Sequence, residues 1–346
     1  MADAAAIRAE MAALVEGFEA LGAARVEAAM LQPADTLLDL YGENIRARAY
    51  VTQDPLRGEQ MLRPDFTVPV AQMHMRIAAE PAAYTYAGPV FRRQEVDAGR
   101  PNEYPQVGYE LFDRGETARV DAALFAAFHN ALAGLALKPV VGDIGILSAA
   151  VKALDTTEAR KAALLRHLWR PARFRDLLDR FTTPVARGEA PEGGPEIGLR
   201  SAADVARRLD RIAEDEAAAP LDADLRAGLE RLLDIKGPAP QALAALREMD
   251  MAGIAPALDR FEARTRAIAG HGIDVDALMF EVSYGRTSME YYDGFVFGFS
   301  ASGLPPVASG GRYDALTRAL SSGEGVPAVG GVIRPDLVAA LKEAGA

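Results

Sequence analysis

The chain has 346 residues, 50% of them hydrophobic, which is enough for about two domains and an ample core. Its formal net charge of -11 argues against nucleic acid as the main partner, because phosphate contacts draw on clustered basic residues. Cysteine is absent, which excludes disulfides, a thiolate nucleophile and a cysteine-zinc site.

The four histidines, His74, His129, His167 and His271, are too scattered for a helical ligand pair, so no metal or cofactor is expected. The Ala-rich start carries Asp3, Glu10 and Glu16 where a secretory signal has a basic start and an unbroken apolar run. The longest nearly uncharged helical stretch, 122–137, contains His129 and Asn130 and falls short of the ~20 apolar residues that span a bilayer. The expectation is a cytoplasmic protein with no membrane partner.

Ile7, Met11, Leu14, Val15, Phe18 and Leu21 recur at helical spacing and predict an opening amphipathic helix. Residues 25–33 read as a weak strand ended by Pro33, and 49–54 as a clearer one. In the segment 61–67, Pro64 disfavours helix at Arg63, and Asp65 and Thr67 can direct polar atoms together. A helix follows over 68–78. The most informative stretch is 84–112, where strands 84–92 and 104–112, rich in aromatic and β-branched residues, flank the turn residues Asp97, Ala98, Gly99 and Arg100: a long hairpin. Arg92 ends the first arm. On the second, Gln106, Gly108 and Glu110 alternate at period two and share one sheet face. A carboxylate and an amide there suit a ligand rich in N–H donors; the plainer reading is an exposed hairpin with solvated charges.

A helix is predicted over 118–136 and a strand over 138–146. From about Ser148 to Gly270 the sequence turns Ala-, Leu-, Arg- and Glu-rich with helical periodicity, broken by the Pro/Gly-rich run 182–198 and by 237–240. This reads as a helical insertion domain, 149–269. Its segment 160–180 holds Arg160, Lys161, Arg166, Arg170, Arg173, Arg175 and Arg180, a solvated face in the plain reading and a docking surface in the other. Strands return at 279–284, 291–299, 307–314 and 326–333. The pair Gly310-Gly311 permits a close backbone approach or a tight turn, and Pro335 suits the first position of a closing helix. Strands on both sides of a helical insert predict an α+β fold, an antiparallel sheet flanked by helices and formed by 1–148 with 270–346.

Taken together and in order, Leu62-Arg-Pro-Asp-Phe-Thr67, Gly88-Pro-Val-Phe-Arg92, Gly99-Arg100, Gln106-Val-Gly-Tyr-Glu110, Tyr291-Tyr292 and Gly310-Gly-Arg-Tyr-Asp314 resemble the class II aminoacyl-tRNA synthetase fold, and within it histidyl-tRNA synthetase and its paralogues. The likeness covers roughly 5–148 and 270–346. It implies a histidine-binding pocket of Asp65 and Thr67 near the α-amino group, Gln106 and Glu110 around the ligand, Tyr291, Tyr292 and Tyr313 near the imidazole, and Arg92 toward the carboxylate. Buried carboxylates among tyrosines call for an ammonium or imidazole partner, which free histidine supplies.

The departures set the expected function. The position of the catalytic arginine of a synthetase is Thr287, that of the motif 3 arginine is Leu337, and Gln94 stands where a glutamate is usual. Adenylyl transfer depends on positioned cations around the phosphates, so activation of histidine by ATP is not expected and no catalytic residue is assigned. The chain also stops just after the motif 3 helix, with no room for an anticodon-binding domain. The resemblance then narrows to the regulatory subunit of ATP phosphoribosyltransferase. It implies partnership with the short-form catalytic subunit in the first step of histidine biosynthesis, feedback inhibition by histidine, and a homodimer within a hetero-oligomer. The alternatives are a truncated synthetase-like enzyme that adenylates an amino acid, and a stand-alone histidine-binding or kinase-regulatory module.

Overall fold

The computed structural model describes residues 3–35, 48–77, 79–94, 101–183, 202–286, 291–321 and 324–345. The expected hairpin turn at 97–100 and Thr287 lie outside these. In chain order the strands are β1 Ala24–Arg25, β2 Leu31–Pro33, β3 Val51–Asp54, β4 Gly58–Leu62, β5 Ala82–Phe91, β6 Glu103–Phe112, β7 Lys138–Asp143, β8 Lys236–Pro238, β9 Met279–Glu281, β10 Phe295–Ser300, β11 Ala308–Arg312 and β12 Ala328–Ile333. The helices are α1 Ala4–Ala20, α2 Thr67–Ile77, α3 Thr117–Ala131, α4 Ile144–Lys152, α5 Glu158–Arg166, α6 Pro171–Thr182, α7 Ala202–Ala217, α8 Ala223–Asp234, α9 Ala239–Glu248, α10 Ala255–Gly270, α11 Asp314–Leu320 and α12 Pro335–Gly345.

One nine-stranded sheet, in the order β1-β5-β6-β12-β11-β10-β7-β9-β8, organises the molecule, and a three-stranded sheet β2-β4-β3 stands beside it. The large sheet is antiparallel except where β1 meets β5 and β7 meets β9, as the α+β reading requires. The arms β5 and β6 pair from Ala82↔Phe112 to Phe91↔Glu103, and β12 lies on the far side of β6 with Gly330 opposite Glu110.

Side chains alternate across the sheet, and the two faces differ in chemistry. One face buries α1 and α3 on an aromatic layer: Phe18 stacks on Tyr109 with centroids 4.9 Å apart, and Phe128 meets Phe297 at 5.2 Å. Burial of such rings is the main source of stability. On the opposite face His74 of α2 stacks on Phe112 at 4.0 Å and shares a hydrogen bond with Tyr84, so this histidine is a core residue.

Several elements differ from the sequence reading. The strand expected over 138–146 stops at Asp143, whose side chain accepts from the Gly145 N–H at 2.8 Å and starts α4. Tyr291 and Tyr292 precede β10 and do not lie in it. The stretch 149–269 also contributes β8, which pairs with β9 at the sheet edge, and α10, which packs on α3. Between those two helices and β11 lies a buried ion network: Arg264 donates to Asp143 at 2.7 Å, and Arg312 donates to Asp121 at 2.6 Å and to Asp314 at 2.9 Å. Each charge there has its counter-charge, the condition for burying one.

Candidate histidine-binding site

Glu110 is the centre of the polar face. It is fully buried, and three hydroxyls donate to its carboxylate: Thr67 at 2.9 Å and Tyr86 at 2.7 Å to Oε1, and Tyr313 at 2.7 Å to Oε2. Each donor arrives from a different element. Thr67 opens α2, Tyr86 lies on β5 with Gly108 as its cross-strand partner, and Tyr313 follows β11. Two glycines make the room. A Cβ on Gly330 would overlap the Glu110 carboxylate, and one on Gly108 would overlap the Tyr86 ring. The Gly310-Gly311 pair is a close approach within β11, where a Cβ on Gly311 would come within 2.8 Å of the Tyr292 ring.

The other expected residues surround this carboxylate. Tyr291 stands edge-on to Tyr292 at 4.9 Å and to Tyr313 at 6.0 Å. Asp65 is buried, and its Oδ1 accepts from the Val68 N–H at 3.4 Å. Arg92 donates from Nε to the Pro64 carbonyl at 2.8 Å, so the arginine at the end of β5 braces the Asp65–Thr67 turn. Gln106 is buried, and its side-chain carbonyl has no hydrogen-bond donor. Glu110, Asp65 and Arg92 all act on the Tyr292 phenol, which burial first and then the two carboxylates push well up. Seven of the expected residues are thus linked to one another, and Gln106 lies on the same strand and sheet face as Glu110.

Electrostatically the carboxylates are under-compensated, since Arg92 spends its Nε on the Pro64 carbonyl. Burial pushes Glu110 up to about 7 against the pull of its three hydroxyl donors, and Asp65 adds repulsion. Among the described residues no cation bonds to Glu110. A group that donates N–H bonds and carries positive charge would meet the orphaned Gln106 oxygen and relieve the glutamate at once.

Sequence reasoning missed Tyr86, Phe66 and Asp293. Phe66 stacks on Tyr86 at 4.4 Å beneath the Arg63 guanidinium. Asp293 accepts from the N–H groups of Asp314 and Ala315 at 3.0 and 2.8 Å, which fixes the Tyr291-Tyr292 segment beside Tyr313. The departures from a synthetase also take physical form. Arg286 reaches the helical stretch, where its Nε donates to the Leu168 carbonyl at 2.7 Å. Arg334 is paired with Asp336 at 2.6 Å and lies 4.3 Å above the Tyr104 ring. Leu337 sits in α12, against the core.

The histidyl-tRNA synthetase family model matches residues 1–184 and 199–338. Among curated proteins, the ATP phosphoribosyltransferase regulatory subunit of Mesorhizobium japonicum is 34% identical, over 94% of this chain and 95% of its own length. The protein of that name from Sinorhizobium fredii is 32% identical over 92% of each. The chain belongs to the ATP phosphoribosyltransferase regulatory subunit family, within the histidyl-tRNA synthetase group. Solved structures agree on the fold. An ATP phosphoribosyltransferase regulatory subunit/histidyl-tRNA synthetase from Bacillus halodurans superposes with a TM-score of 0.73 at 22% identity, over 97% of this chain and 79% of that one. The histidyl-tRNA synthetase of a Nostoc species gives 0.67 at 17% identity, over 99% and 73%. The regulatory-subunit relatives match nearly end to end, across the helical stretch as well as the sheet.

Proposed function

We propose that this protein is the noncatalytic regulatory subunit of an ATP phosphoribosyltransferase, required by the short catalytic subunit and conferring feedback inhibition by histidine in the first step of histidine biosynthesis. The observation that carries the ligand is Glu110: a buried carboxylate held by three hydroxyls, with no cation bonded to it among the described residues and a tyrosine wall around it. Histidine brings the missing charge in its ammonium and its imidazole. The same geometry supports a noncatalytic role, since Arg334 is paired with Asp336 and Leu337 packs against the core. Histidine inhibits by favouring one state of the assembly, a coupling of typically ~1–3 kcal/mol.

The protein works in the cytoplasm, without nucleic acid, as a homodimer inside a hetero-oligomer. Exposed Leu21 follows α1, and exposed Met30, Leu31, Val51 and Leu56 lie on or beside the small sheet; they support a second copy docking there. Among the described residues no helix is long and apolar enough to cross a membrane.

The test is co-expression with a short-form catalytic subunit. Co-purification, activation on mixing and inhibition of the mixture by histidine are expected. Histidine-dependent ATP–pyrophosphate exchange by the purified chain would overturn the noncatalytic assignment.

A further inference from the structure

Behind the tyrosine pair, the turn after β9 meets the segment that joins α5 to α6. Gly285, at φ +85, lies against Val296, where a Cβ would come within 2.9 Å, and this tight turn presents Arg286 to the helical side. Only 3% of Arg286 is exposed. Its guanidinium sits 5.1 Å from the Phe174 ring, and Nε is satisfied by the Leu168 carbonyl at 2.7 Å. One terminal nitrogen of this guanidinium is buried with no acceptor. The next residue along from Leu168 repeats the situation, since the buried Trp169 indole nitrogen has no acceptor either.

Both orphans are donors only, so no rotation or tautomer turns them into acceptors. Their demand is for acceptor atoms. Arg175, one position beyond Phe174 and exposed, adds a second cation. Burial, followed by repulsion from Arg175, pushes Arg286 down to about 10. Among the described residues neither arginine has an ion-pair partner. A buried guanidinium without a counter-charge is costly, and native structures seldom leave such donors unmet.

We propose that Arg286, Trp169 and Arg175 form a binding site for a phosphate-class oxyanion at the junction of the helical stretch with the sheet. Two guanidinium groups and an indole N–H offer several donors and two positive charges, which matches a dianion with oxygens on every side. A single carboxylate would neutralise only half of that charge. None of the site's donors bonds to Glu110 among the described residues.

Trp169 is the single tryptophan of the chain, so its emission reports on this site alone. Inorganic phosphate is titrated into the full-length protein at an ionic strength held constant with chloride, and acetate is titrated in parallel. A saturable change in emission with phosphate is expected, and it should vanish in Arg286→Met. Arg175→Gln, at an exposed position that leaves the fold intact, should weaken phosphate by about tenfold. No saturable phosphate response, or an undiminished one in both variants, would overturn the site. An equal response to acetate would overturn its assignment to a dianion.

Discussion

Replacing Glu110 by glutamine separates the charge of the pocket from its shape. In the ligand-free protein Glu110 is raised to about 7 from an ordinary 4.5, so the folded state holds this proton more tightly than the unfolded state does. Stability should therefore fall as pH rises from about 4.5 to about 7 and then level off, having lost about 3 kcal/mol at about 1.4 kcal/mol per pH unit. Glutamine abolishes that loss. Its amide nitrogen, however, faces a hydroxyl that donated to the carboxylate, a mismatch of about 1–2 kcal/mol. Glu110→Gln should thus be less stable than the parent near pH 5 and more stable by about 1–2 kcal/mol near pH 8. Histidine affinity should drop about thirtyfold, because a bond to a charged partner contributes about 2 kcal/mol. Urea unfolding across this pH range, with and without histidine, reads both effects. Parallel pH profiles for the two proteins, or histidine protection that survives the substitution, would refute the reasoning.

Tyr313→Ala should weaken histidine binding by calorimetry while co-purification with the catalytic subunit persists, since its hydroxyl reaches Glu110 and its ring walls the pocket. Tyr86→Phe removes one of three donors and should raise Glu110 further, shifting the stability midpoint to higher pH with a cost of about 1 kcal/mol. Gly330→Ala drives a methyl into the Glu110 carboxylate; a loss of about 1–3 kcal/mol in denaturant unfolding is expected, together with lost histidine binding. Arg312→Met leaves Asp121 in the core with Arg264 at 3.4 Å as its remaining cation and should cost about 3 kcal/mol.

Much of this was legible in the sequence because strands and pocket residues follow simple periodicities. The aromatic arms 84–92 and 104–112 announced β5 and β6, and period-two spacing put Gln106 and Glu110 on one face. Tyr86 escaped because Tyr84 and Tyr86 share that face in sequence, and only the pairing of Tyr86 with Gly108 shows which of them reaches the glutamate. β8 was hidden because Lys-Gly-Pro reads as a loop; its strand character comes from pairing with β9, a contact more than forty residues distant. The run 291–299 read as one strand, yet Asp293 diverts its side chain to the start of α11, a long-range bond that local pattern does not encode.

Arg312 and Tyr313 are consecutive, yet they serve opposite sides of the sheet: one anchors α3 through Asp121, the other holds the glutamate. Through the same aspartate, α10 is tied to this strand by Arg264. Any attempt to trim the protein to a minimal sheet by excising 149–269 would take Arg264 away and leave Asp143 without the guanidinium it bonds in the core. The helical stretch is therefore part of the scaffold that keeps the Tyr313 phenol in place, and a shortened version should be redesigned at Asp121 and Asp143 before it is expected to fold.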